Sequence, residues 1–105
     1  MQTATTNLFG NPYVLGKRTI LFANEVLYFE GDINYTYIHL VSGKQKLLSK
    51  TLLFIENQVD SEKFIRISRK HLVNKKFVLK SGRSFVVLIN GDILPVSRRR
   101  RGILR

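Results

Sequence analysis

The sequence predicts a mainly β domain, with about eight to ten short strands and one or two short helical segments. Short runs rich in β-branched and aromatic residues recur along the chain, among them Thr19-Ile20-Leu21-Phe22 and Tyr35-Thr36-Tyr37-Ile38-His39-Leu40. Turn-forming pairs separate such runs, at Gly31-Asp32, Ser42-Gly43, Ser81-Gly82 and Asn90-Gly91. Only the stretch from Ser49 to Val59 carries a helical period.

Taken in order, residues 1–17 are rich in Thr, Asn and Gly, and Asn11-Pro12 marks a turn. They read as a loosely attached arm ahead of a domain that spans 18–105. Thr19 to Phe22 and Val26 to Phe29 are strands interrupted by Asn24-Glu25, and Tyr35 to Leu40 is a third. Ser42-Gly43 closes a hairpin onto Gln45-Lys46-Leu47-Leu48. Ser49 is typed to cap a helix of about two turns whose stripe is Leu52, Ile55 and Val59, widened by Leu53 and Phe54. That helix is expected to end near Asn57 and to cover the sheet.

Extended structure resumes at Phe64 to Ile67, and Ser68 can cap a single turn reaching Lys70 or His71. Phe77-Val78-Leu79 pairs across Ser81-Gly82 with Phe85 to Ile89. Asn90-Gly91 is the strongest hairpin signal, because a type I′ turn needs positive φ at both central residues. Pro95 confines the returning Ile93-Leu94 strand to a sheet edge, since proline has no N–H to give a ladder.

Charge is the outlying property. The 105 residues carry a formal net charge of +11, and the distribution is lopsided. Residues 1–62 hold five Lys/Arg against six Asp/Glu, whereas 63–105 hold thirteen against one. Segregated charge of one sign makes a directed field that attracts polyanions, nucleic acid first among them. There is no cysteine, so disulfides, thiolate nucleophiles and cysteine metal sites are excluded. No secretory leader or membrane-length apolar run is visible, which points to a soluble cytoplasmic protein.

The basic half is organised around Phe64-Ile65-Arg66-Ile67-Ser68-Arg69-Lys70-His71-Leu72-Val73-Asn74. Apolar residues anchor both ends and hold cations and hydrogen-bonding groups between them. The pattern returns as Leu94-Pro95-Val96-Ser97 followed by Arg98 to Arg101. Cations alone neutralise phosphate and bind without selectivity. Reading needs groups that reach base edges, such as an Arg on guanine O6 and N7 or an Asn on adenine N6 and N7. Asn34, Asn74 and Arg98 meet that description. Each also has a plain structural role open to it: turn chemistry for Asn34, a cap for Asn74, a solvated tail charge for Arg98.

The segment FIRISRKHLVN, the upstream NYTYIHL and the terminal LPVSRR together resemble the LytTR family of bacterial DNA-binding domains, over residues 18 to 101. The resemblance implies an elongated antiparallel β-sandwich of about ten short strands in stacked sheets with one or two short helices. It also implies loops in successive major grooves, with Asn34, Asn74 and Arg98 on bases and Arg69, Lys70, His71, Ser97 and Arg99 on the DNA backbone. Such domains commonly follow a receiver domain or membrane sensor, and here only a short arm stands ahead of the match.

Little supports catalysis. His39 and His71 are far apart and lack the clustered carboxylates of a metal site, and no glycine-rich phosphate loop precedes a helix. The expected partner is double-stranded DNA, with a second copy on an adjacent repeat, and no cofactor, metal, membrane or small-molecule substrate. A small RNA-binding β protein, stacking bases on Tyr35 and Tyr37, is the first alternative. A basic module for acidic partners is the second. Tyr35 itself is expected to pack rather than to touch phosphate.

Overall fold

The computed structural model describes residues 10–103. It contains ten strands in three antiparallel sheets. β1 (Tyr13–Gly16) and β2 (Thr19–Leu21) form a hairpin. The central sheet has the order β5-β4-β3-β7-β6, from Gln45–Leu48, Tyr35–Leu40, Val26–Asp32, His71–Asn74 and Phe64–Arg66. The third sheet has the order β10-β9-β8, from Ile93–Pro95, Phe85–Leu88 and Val78–Ser81. The one α-helix among the described residues, α1 (Leu52–Glu56), packs near β3 and β7.

Two apolar layers flank the central sheet. One holds Leu15, Leu21, Phe29, Ile38, Ile55 and Leu72, between that sheet and the β1–β2 hairpin with α1. The other holds Leu27, Ile67, Val73, Val86, Leu88 and Leu94, under the three-stranded sheet. Successive residues of a strand face opposite ways, so Leu72 and Val73 of β7 serve different layers. An irregularity in the β3–β4 ladder between Val26 and Tyr28 breaks that alternation. It lets the consecutive Leu27 and Tyr28 both join the second layer. Phe29 is completely buried at the centre of β3, where truncation to Ala would cost about 3–5 kcal/mol.

Several expectations need adjustment. Within the predicted arm, Tyr13–Gly16 is a strand whose Tyr13 and Leu15 are buried, because a two-residue turn folds them back along β2. Residues 1–9 of that arm lie outside the described residues. Thr51, not Ser49, caps α1, its hydroxyl accepting from the Phe54 N–H at 3.1 Å. Leu53 points to solvent and does not widen the stripe, although Val59 is buried beyond the helix. The Asn90-Gly91 hairpin is not type I′, since only Gly91 has positive φ, at 95°. Gly91 N–H bonds the Leu88 carbonyl, giving a three-residue loop closed by glycine, and Asn90 pairs its side chain with Asp92 instead. Pro95 does lie on an edge strand.

Candidate nucleic-acid interface

The segment joining β6 to β7 is a bend, not the helical turn expected of it. Ser68 still acts as foreseen at the level of its hydroxyl, which accepts from the N–H groups of Lys70 and His71 at 3.2 and 3.1 Å. Arg66 closes the bend from beneath. Its Nε donates to the Ser68 carbonyl at 2.7 Å and one terminal nitrogen to the Arg69 carbonyl at 2.8 Å. The other reaches Glu56 of α1 at 2.5 Å. One planar guanidinium thereby fixes two successive carbonyls and ties them to the helix. Arg69 and Lys70 are left on the outside, exposed and without side-chain partners among the described residues.

His71 lies inside the bend. It is buried, its Nδ1 lies 3.1 Å from the Ser68 hydroxyl, and its ring tilts against Tyr28. Burial holds its pKa below the ordinary value, and the Glu30 charge opposes that shift. In this fold the ring supports the loop from inside, a different setting from the exposed backbone contact expected of it.

Asn74 lies deeper still. It is 3% exposed, and its amide nitrogen donates to the carbonyls of Ala23 and Val26 at 3.0 and 2.9 Å. Its amide oxygen accepts from Lys76 N–H at 3.0 Å, capping the 3₁₀ turn Lys75–Phe77. Both amide hydrogens are in use and the oxygen already accepts one bond, so in this fold the side chain serves the protein's own backbone. The cap considered from sequence is the role it fills, joined to a tie between β7 and the turn that leads into β3.

The C-terminal element is a 3₁₀ turn, Arg98–Arg100, begun at Ser97. Ser97 N–H bonds the Ile67 carbonyl at 2.8 Å, and Arg100 donates to the Arg66 carbonyl at 3.2 Å. The tail therefore rests on the same segment that carries the 68–70 bend. Arg98 and Arg99 are exposed and unpaired among the described residues, and the Ser97 hydroxyl makes no capping bond. Arg105 lies outside the described residues.

Asn34 occupies the exposed β3–β4 turn. The base of that turn is joined to the bend by a bond from Gly31 N–H to the Lys70 carbonyl at 2.8 Å. A shallow groove runs between them, lined by Ile33, Leu53, Arg66, Arg69 and Lys70. Tyr35, beside the turn, is 47% exposed rather than packed. His39 stacks on Tyr28 at 4.1 Å and meets Glu30 at 2.9 Å, a structural pairing.

The β3–β4 turn, the 68–70 bend and the 97–100 turn are thus held to one another by backbone and arginine bonds. Of the predicted contacts, Asn34, Arg69, Lys70, Ser97, Arg98 and Arg99 lie on these three elements, while His71 and Asn74 lie inside. Sequence reasoning passed over Arg66 as a positioning residue. Its signal was a lone cation between Ile65 and Ile67 in an apolar strand, where a charge must find partners.

A β scaffold that projects arginines, unpaired among the described residues, from loops tied to its core carries the electrostatic footprint that suits a polyanion. The chain belongs to the LytTR family: the LytTr DNA-binding domain model matches residues 16–105. Among solved structures it is similar to one described as the LytTr DNA-binding domain of a methyl-accepting/DNA response regulator from Bacillus cereus. That likeness has a TM-score of 0.71 at 21% identity, over 86% of this chain and 90% of the other. At such identity it speaks for the fold, a mainly β arrangement of antiparallel sheets. No curated protein matches the chain. The family is one of DNA binding rather than catalysis. Among the described residues, no helix is long and apolar enough to cross a membrane, and no cluster of potential metal ligands occurs.

Proposed function

We propose that this domain binds double-stranded DNA sequence-specifically and acts as a bacterial transcriptional regulator in the cytoplasm, as the output module of a response-regulator-type system. The observation that carries the reading is the pairing of exposed arginines, unpartnered among the described residues, with a backbone they cannot move. Arg69 follows a carbonyl gripped by Arg66, and Arg98 follows an N–H gripped by Ile67. A guanidinium carried on a fixed backbone suits bidentate recognition of guanine, whereas one on a mobile tail suits only phosphate. In this reading Asn34, Arg69 and Arg98 meet base edges, and Lys70, Ser97 and Arg99 hold the backbone. A second copy on an adjacent repeat would double the contacts.

The test is selection from a randomised duplex pool at about physiological salt, because low ionic strength lets the +11 charge bind any sequence. Recovery of a motif, with short repeats about one helical turn apart, is the expected result. Uniform recovery would leave a general polyanion binder.

A further inference from the structure

We propose that Ile33 reads the C5-methyl group of a thymine in the major groove. The inference rests on the DNA-reading function above and adds a contact of a different chemistry to it.

Asp32 and Tyr35 pair directly at the end of the β3–β4 ladder, so Ile33 and Asn34 alone make the turn. Ile33 has a φ of 55°, the only positive φ at a non-glycine position among the described residues. Positive φ at the first central residue and not at the second is the sign pattern of a type II′ turn. Glycine normally fills that first position, because a branched Cβ is crowded there. Ile33 is also 87% exposed, more than any other large apolar residue described. Neither feature helps the folded state: the backbone is strained and no burial offsets it. An outlier of this sort motivates a functional reading.

The surroundings say which. The tip reads Asp32-Ile33-Asn34 and carries no cation, so charge cannot hold it to phosphate. Asp32 repels the backbone and favours a tip directed at the groove floor. Yet the bond from Gly31 to Lys70 holds this tip beside Arg69 and Lys70, which do suit the DNA backbone. Of the groups in the major groove, the thymine methyl is the apolar one. Asn34 at the next position can take adenine, so the turn as a whole fits a step rich in A·T pairs.

The experiment uses the duplex recovered by selection, with each thymine replaced in turn by deoxyuridine, which removes only the methyl. The wild-type protein is expected to lose roughly fourfold in affinity at one position, the worth of one buried methyl group. Ile33→Gly should lose that sensitivity and keep its preference at every other position, with a melting temperature no lower than wild type. Two results overturn the proposal: indifference of the wild type to every replacement, or a glycine variant that keeps the same sensitivity. Neither would touch the DNA-reading function, which fails only if no motif is recovered at all.

Discussion

The guanidinium of Arg66 and the carboxylate of Glu56 lie 2.5 Å apart, joining strand β6 to helix α1 across the foot of the 68–70 bend. The arginine is the less exposed partner, and two further bonds carry its Nε and its other terminal nitrogen onto the bend's own carbonyls. What this ion pair contributes is geometry more than stability. It decides where Arg69 leaves the surface.

Arg66→Lys keeps the charge and gives up the fork. Affinity for the selected site should fall by up to about thirtyfold, from the loss of two carbonyl bonds at roughly 1 kcal/mol each. The slope of log K against log salt should stay unchanged, because the number of neutralised phosphates is unchanged. Anisotropy titrations at several salt concentrations measure both quantities. A lowered slope would mean that Arg66 itself meets phosphate.

Asn74→Ala leaves two carbonyls and one N–H without their partner in a buried place. A loss of about 2–4 kcal/mol in folding stability is expected, read from urea unfolding. The protein that remains folded should still prefer the selected site over random duplex. Full stability with lost preference would restore Asn74 as a base contact.

Arg69→Ala and Arg98→Ala should each cost about 1–3 kcal/mol on the selected site and little on random DNA. Arg99→Ala should weaken both DNAs alike and reduce the salt slope by about 1. Equal losses on both DNAs for all three variants would assign every one of them to phosphate.

His71 makes stability depend on pH. Its folded pKa lies below the ordinary 6.5, so the unfolded chain takes up the proton first as pH falls. The contribution of neutral His71 is complete above about pH 6.5 and declines below it, until the folded histidine protonates as well. Lys70 and His39 push in the same direction as burial, and Glu30 against it. Urea midpoints measured downward from pH 7.5 should show this limb, and His71→Asn should flatten it. An unchanged limb in the variant would assign the dependence to other groups.

Much of the scaffold was readable because strands advertise themselves by composition and by the turns between them. Tyr35–Leu40, Phe85–Leu88 and the edge strand stopped by Pro95 stand where the pattern placed them. The β1 strand was hidden by its sparse setting. Tyr13 and Leu15 alternate correctly, but two buried residues amid Thr, Asn and Gly are a weak signal until β2 is there to pair. The two basic elements, at 66–70 and 98–101, were readable as well, since clustered charge and apolar anchors are properties of composition and order.

The sequence by itself determined that this chain is a β domain with its cations gathered in the last two-fifths, ahead of and behind short apolar anchors. Local propensity and net charge are sums over neighbours, and neighbours are what a sequence shows. Which polar groups face out was decided only by the tertiary structure. Asn74 and Arg69 are five residues apart and equally able to meet a base, yet one is spent on the carbonyls of Ala23 and Val26 and the other stands exposed at the surface. Those carbonyls lie about fifty residues away along the chain, and a buried amide must satisfy whatever the fold brings to it.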